Sequence, residues 1–275
     1  MHRSLPVAAA LAVPTALAAG AAVAQPAAVP LWEIGGLAFG TQQQAYPGAD
    51  QSVRRAIALP YLLYRGEVLR IDRGTAGVRA VKRPTFEVDI GFSGAFGSSS
   101  RDIDARRGMP DLGTLVEFGP RLKWHLGEAA GGRWHVELPV RGVFDLEDRL
   151  ARRGLSFEPE LQFARRTAGG LSYAASLGAV IGNRRLAETF YSVEPGYVTA
   201  GRPAYAARAG LINGRLGVTA SKTVAPDWRV FGFVRVDSVA GAANRASPLV
   251  RQTTGATAGV GLNWTWMRSE RAAVD

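Results

Sequence analysis

The sequence contains no cysteine. That excludes a disulfide framework, a thiolate zinc site, a cysteine nucleophile and a lipid-anchoring cysteine. Histidine is nearly as scarce, with His125 and His135 alone beyond His2. After the first 24 residues no run approaches the ~20 apolar residues that a membrane-spanning helix needs. The charged fraction is only 20% and glycine is abundant, at 33 residues, which argues against a coiled coil or a disordered tail. What is present in excess is basic charge: 33 Lys+Arg against 23 Asp+Glu give a net charge of +10 and a pI near 10.6. Such a balance invites a nucleic-acid partner, so the positions of the charges matter. The length of 275 residues suits one large domain or two small ones.

Residues 1–24 read MHRSLPVAAALAVPTALAAGAAVA. A short basic start at His2 and Arg3 leads into an Ala/Leu/Val run that ends on Ala22-Val23-Ala24. This pattern predicts a secretory signal peptide over 1–24, cleaved before Gln25, which leaves residues 25–275 as one mature domain. A retained membrane anchor is disfavoured, because Pro6, Pro14 and Gly20 interrupt the run and no stop-transfer charges follow it. An exported chain does not meet chromosomal DNA, and no nucleic-acid partner is expected.

The rest of the chain alternates with period two. In 134–145, Trp134, Val136, Leu138, Val140 and Phe144 fall on one face, with His135, Glu137, Arg141 and Asp145 on the other. Residues 116–126, 155–163, 86–92, 228–236 and 256–266 repeat the pattern, so each has one apolar and one polar face. A soluble sandwich also alternates, and three details favour a transmembrane barrel. The segments run about 9–13 residues, which matches a tilted bilayer crossing better than the usual strand of ~5–6. Their polar faces carry both signs of charge, as a wet or ion-paired lumen would. Trp124, Trp134, Trp228, Trp264 and Trp266 lie near strand ends on the apolar face, where an interfacial girdle belongs.

Short connections at 127–132, 166–169 and 223–227 alternate with long ones at 146–153, 183–206 and 241–251. This is the asymmetry of periplasmic turns and outer loops. With the N-terminus inside, 41–55 and 96–113 also face outward. The expected fold is therefore an all-β, antiparallel, up-and-down transmembrane barrel. Its count is about twelve strands if 67–72 and 76–82 form an extra hairpin, and ten otherwise.

Four segments carry a family resemblance: LPYLLYRGEVLRID (59–72), RRGMPDLGTLVEFGPRL (106–122), YSVEPGYVTAGRPAYAARAGL (191–211) and SPLVRQTTGATAGVGLNW (247–264). With these residues the chain resembles the MipA/OmpV family of outer-membrane proteins, and RRGMPDL is the most specific stretch. The resemblance implies a non-enzymatic barrel in the Gram-negative outer membrane. Its implied role is scaffolding, joining a murein lytic transglycosylase to a penicillin-binding protein in peptidoglycan turnover. Other members of the family are associated with osmotic response, adhesion and drug susceptibility. One departure stands out. Barrels of this kind usually end on an aromatic residue, whereas this chain continues past Trp266 and Met267 as RSERAAVD.

Nothing in the sequence calls for a cofactor or metal, and no catalytic residue is assigned. His125 and His135 lie on polar faces of neighbouring strands, without a placed carboxylate or nucleophile, and fall short of a catalytic constellation. Neither a G-x-S-x-G elbow nor an H-E-x-x-H helix occurs. The informative set is the lumen charges: Glu87, Asp89, Glu117, Glu137, Glu158 and Glu160, interleaved with Arg121, Lys123, Arg141, Arg229 and Arg235. Near-balanced signs predict an ion-paired, closed interior; the competing reading is a small solute-selective channel sorted by charge rings. Loop 183–206, which contains a short helix-forming stretch RLAETFYSV, either contacts partners or lipopolysaccharide or, as the favoured reading, folds over the mouth as a lid. In loop 101–110 the arginines face either lipopolysaccharide phosphates or the adjacent Asp102 and Asp104. A scaffold for murein enzymes must use the periplasmic side, where Arg65, His125, His135, Arg165 and Arg166 are the candidates. Outer-membrane lipid and lipopolysaccharide are the other expected partners.

Overall fold

A computed structural model describes residues 29–66, 69–72 and 75–273, without the side chains of 69–72, 75–77 and 95. The proposed signal peptide, residues 1–24, lies outside the described residues. The chain forms β1 (Trp32–Gln44), β2 (Ser52–Arg65), β3 (Leu69–Asp72), β4 (Thr75–Lys82) and β5 (Phe86–Ala95). Then come β6 (Leu115–Ala129), β7 (Gly132–Asp145), β8 (Ala151–Phe157), β9 (Glu160–Arg166) and β10 (Ser172–Gly182). After helix α1 (Arg184–Tyr191), the sheet ends with β11 (Gly210–Ala225), β12 (Trp228–Ser238) and β13 (Thr254–Arg268).

Neighbours pair antiparallel throughout, and β13 pairs with β1 from Glu33↔Arg268 to Gln42↔Ala258, which closes the sheet on itself. β8 and β9 are two halves of one crossing. Both pair with β7 and with β10, and the register is unshifted from Glu137↔Glu160 to Val140↔Phe157. Pro139 faces Glu158 and Pro159 faces Leu138 across the gap. Each proline lacks an N–H to give to the ladder, so the strand breaks there without slipping. The result is a twelve-stranded barrel. The β3–β4 hairpin, on which the count turns, is present: Leu69↔Val78 to Asp72↔Thr75 are paired.

The turns on the side of the chain ends, expected to face the periplasm, are tight. Ala130 and Gly131, both at positive φ (55° and 71°), join β6 to β7 as a two-residue hairpin loop. Pro226 and Asp227 join β11 to β12. The outer loops are longer and carry the regular structure outside the sheet. Helix α1 starts at Asn183, whose Oδ1 accepts from Leu186 N at 3.1 Å, as an N-cap residue should.

Side-chain alternation then sorts the wall into two faces. Outward lie Leu177, Leu216, Val218, Val234 and Val260, each half exposed or more, as lipid-facing residues are. All six tryptophans of the sequence fall at the periplasmic ends of strands, and Trp228 stacks on Trp264 with centroids 5.3 Å apart. The outward Phe92, Phe118 and Phe144 stack across the outer halves of β5, β6 and β7. Inward, glycine makes room for aromatic rings: a Cβ at Gly261 would collide with Phe231.

The chain ends meet below the barrel, where Leu31 N donates to Arg271 O (2.8 Å) and Ala273 N to Val29 O (2.7 Å). β13 is complete at Arg268, with Trp264 and Trp266 inside it, so the charged residues that follow are a clasp on the N-terminal entry rather than part of the wall.

Gly261→Val should destabilise the barrel by about 1–3 kcal/mol through overpacking against Phe231. Gly40→Ala should be close to neutral, since a Cβ there meets nothing nearer than 4.0 Å; urea titration in detergent micelles reads both. Deleting 269–275 should leave membrane insertion intact and lower the unfolding temperature of the heat-modifiable band by a few degrees, through loss of the clasp.

Candidate functional site

Alternation puts Glu87, Asp89 and Ser93 of β5, Glu117, Arg121 and Lys123 of β6, and His135, Glu137 and Arg141 of β7 on the lumen face. The register then sets oppositely charged residues beside one another, with Asp89 facing Arg121 and Lys123 facing Glu137. Arg121 donates from Nε and Nη2 to the two carboxylate oxygens of Asp89 (3.0 and 2.6 Å) and from Nη1 to Glu137 Oε2 (3.1 Å). Glu137 also takes Lys123 Nζ at 3.3 Å and lies 3.4 Å from His135 Nε2. Higher up, Arg141 Nη1 reaches Glu117 (3.4 Å) and Glu158 (3.2 Å). Arg215 of β11 reaches the same Glu158 oxygen at 3.2 Å. It does so across Gly178 of β10, which has no side chain in the way. Arg235 closes the series on Asp237 at 2.8 Å.

These pairs run along the wall from strand to strand rather than across the bore. They satisfy each other where a lone charge would be costly. Of the expected lumen charges, Glu87 pairs with Arg79 (2.9 Å) and Glu160 accepts from Gln162. Arg229 is exposed and has no carboxylate partner among the described residues. Arg79, Arg215 and Asp237 belong to the network but were not singled out from sequence. For Arg215 the signal was available: Leu216 and Val218 set the outward parity, which turns Arg215 inward.

His125 and His135 are direct cross-strand partners. They differ in environment, since His135 is buried against Glu137 and Gln162 while His125 is exposed. Arg165 and Arg166 are exposed at the end of β9, next to the 167–171 turn. Arg65 is buried instead, donating to Glu33 Oε1 and to Pro30 O, both at 2.8 Å. It anchors the entry of the chain.

The outer mouth is built differently. Every cluster of buried apolar side chains among the described residues lies there. Tyr46, Ile103, Val193 and Leu249 bring together four separate loops, and Tyr191 of α1 packs beside them at full burial. Polar groups stitch the loops: Tyr46 Oη donates to Leu249 O (2.7 Å), Tyr191 Oη to Pro47 O (3.1 Å) and Ser247 Oγ to Tyr191 O (2.7 Å). Two buried arginines complete the lid. Arg202 donates to the carbonyls of Tyr197, Ala105 and Arg107. Arg106 donates to those of Phe190 and Pro110 and stacks over Tyr46. Burial pushes the Arg106 guanidinium down to about 10 and the Tyr46 phenol up to about 12. The loop 183–206 thus folds over the mouth, and Arg106 is buried against loop carbonyls and pairs with neither Asp102 nor Asp104. Arg107 does pair with Asp104, at 2.5 Å on the surface.

Arg121→Leu should destabilise the barrel by about 2–4 kcal/mol, since it strands Asp89 without its cation and leaves Glu137 only Lys123 and His135. Adding Asp89→Leu should recover part of that loss. A double-mutant cycle in urea measures the coupling.

Among solved structures the chain is similar to the NanC porin, at 9% identity over 83% of this chain and 98% of that one, with a TM-score of 0.39. It is also similar to the COG4313 outer membrane channel from Pseudomonas putida F1 (9% identity, 88% and 99% covered, TM-score 0.38). A third is outer membrane phospholipase A from Escherichia coli (12% identity, 86% and 94% covered, TM-score 0.37). These are distant likenesses, and the closed ladder establishes the fold without them. No curated protein matches the chain. The sequence profile of the family described as MltA-interacting protein MipA matches residues 35–266. This chain is an outer-membrane β-barrel protein and belongs to the MipA family.

Proposed function

We propose that this barrel is a structural scaffold of the envelope, which holds a murein lytic transglycosylase and a penicillin-binding protein at its periplasmic end. The observation that carries the reading is the position of the hydrophobic core. It lies over the outer mouth, where four loops interlock. A lid of buried tyrosines, leucines and arginines suits a closed barrel and disfavours a solute channel. The working surface is then the opposite end.

That end has a charge of its own. Arg83, Arg133, Arg165, Arg166, Lys222 and Arg229 are exposed on the strand ends and turns, against only Glu128, Asp227 and Glu270. Such a basic rim favours fast capture of an acidic partner. The family's description names MltA, which fits a partner reached from the periplasm. No catalytic role is proposed for any residue.

Purified barrel should show no stable porin-size openings in planar bilayers, while deletion of 184–208 should produce them. From envelope extracts the barrel should retain both enzymes under mild crosslinking. The triple charge reversal Arg133→Glu, Arg165→Glu, Arg166→Glu should weaken that retention about tenfold or more while the heat-modifiable fold persists. Porin-size openings in the intact protein, or absence of both enzymes, contradict the scaffold.

A further inference from the structure

Among the described residues, β2 and β5 lack ladder partners over part of their length on one side of the barrel. On its β3 side, β2 has ladder partners only at Tyr64 and Arg65 among the described residues. On its β4 side, β5 has them only from Glu87 to Gly91. The hairpin between them ends at Asp72↔Thr75. The eight residues of β4 (Thr75–Lys82) climb only about 20 Å after tilt, short of the ~25 Å apolar band. The missing height lies toward the loops, in the outer half of the membrane. Above it, Gly97 O accepts from Arg55 Nη2 (3.2 Å) and Phe96 O from Gln43 Nε2 (3.2 Å), which frames an opening from the top. Pro60 sits within the unpaired stretch of β2, where the lack of an N–H is tolerated on an edge.

The lumen behind this opening is unlike the rest. Leu37 and Phe39 of β1, Ile57 and Leu59 of β2, and Phe231 and Phe233 of β12 face inward together, by parity with Thr41, Arg65 and Arg235. Phe39 stacks on both phenylalanines of β12, at 5.9 and 6.2 Å. Leu59 points into the lumen yet is 43% exposed, so this apolar strip is open. The charged network occupies the other side, from β4 to β12.

At the upper corner stand two adjacent arginines on opposite faces of β2. Arg54 points outward and hydrogen-bonds Gln42 (3.1 Å). Arg55 points inward and donates only to backbone carbonyls. Neither has a carboxylate partner among the described residues. Beside Arg54, small residues at Gly40, Gly232 and Ala258 leave a groove of about 700 Å³ on the lipid face, walled by Val234 and Val260. Cations above two apolar channels, one outside and one inside the wall, match a phosphorylated lipid with several acyl chains.

We propose that the gap between β2 and β5 is a lateral opening that admits an acyl chain of lipid A from the outer leaflet, with its phosphate held by Arg54 and Arg55. Lumen water hydrates the strand edges that the chain does not cover, as backbone at membrane depth requires. The lid keeps the polar outside medium out, so entry is from the membrane.

Because the chain has no cysteine, single probes are clean. Bimane on Leu59→Cys, in lipid A vesicles containing brominated-chain phospholipid, should be quenched several-fold more than bimane on Ser176→Cys, which faces the charged side. Native mass spectrometry of the full barrel with added lipid A should show binding that Arg54→Ala with Arg55→Ala weakens about tenfold. Phosphatidylethanolamine should not compete. Heat-modifiable migration checks that each variant is folded. Equal quenching at both sites overturns the opening. Lipid A binding that ignores the arginines, or that phosphatidylethanolamine displaces, overturns the assignment of the ligand.

Discussion

Every peptide N–H and C=O inside a bilayer must find its partner within the protein or in enclosed water. That requirement organises this molecule. It forces β13 back onto β1, sets antiparallel neighbours throughout, and makes the period-two alternation unavoidable, because each strand divides lipid from lumen. Where the ladder is interrupted, the interruption has a chemical cause. Pro139 and Pro159 break one crossing without shifting its register, and beside the short β3–β4 hairpin parts of β2 and β5 have no ladder partner among the described residues.

The same requirement relocates the hydrophobic core. In a soluble domain, apolar residues gather inside the sheet. Here they face lipid along the wall, and the clusters sealed from both solvents lie in the outer loops. The lumen is left to charges that pair with their neighbours. Closure therefore comes from the lid and not from the ion pairs, which hug the wall. Packed loops at one end and tight turns at the other give the barrel a direction, and the basic rim lies on the side of the turns.

Much of this was legible in the sequence. Alternation identified the long strands, and their parity placed Asp89, Arg121, Glu137 and Arg141 inside. The family resemblance rested on the same segments that the profile matches. Three features were not readable. Residues 155–163 alternate without a break, so the effect of Pro159 depends on Pro139 lying across from it. Arg65 sits at a strand end like Arg165, and only the bound N-terminal entry shows that it is buried. The packing of the lid is the largest omission: 183–206 was expected to fold over the mouth, but loops have no period, and Tyr46, Ile103, Tyr191 and Leu249 meet only because the closed ladder brings distant loops together.

The central claim is that the lumen is shut from outside and reached from the periplasm. It is tested most directly by a single Ser176→Cys and a membrane-impermeant maleimide. Intact cells should leave this site unlabelled, while the same reagent supplied from the periplasmic side should label it readily. Rapid labelling from outside the intact cell would contradict the account.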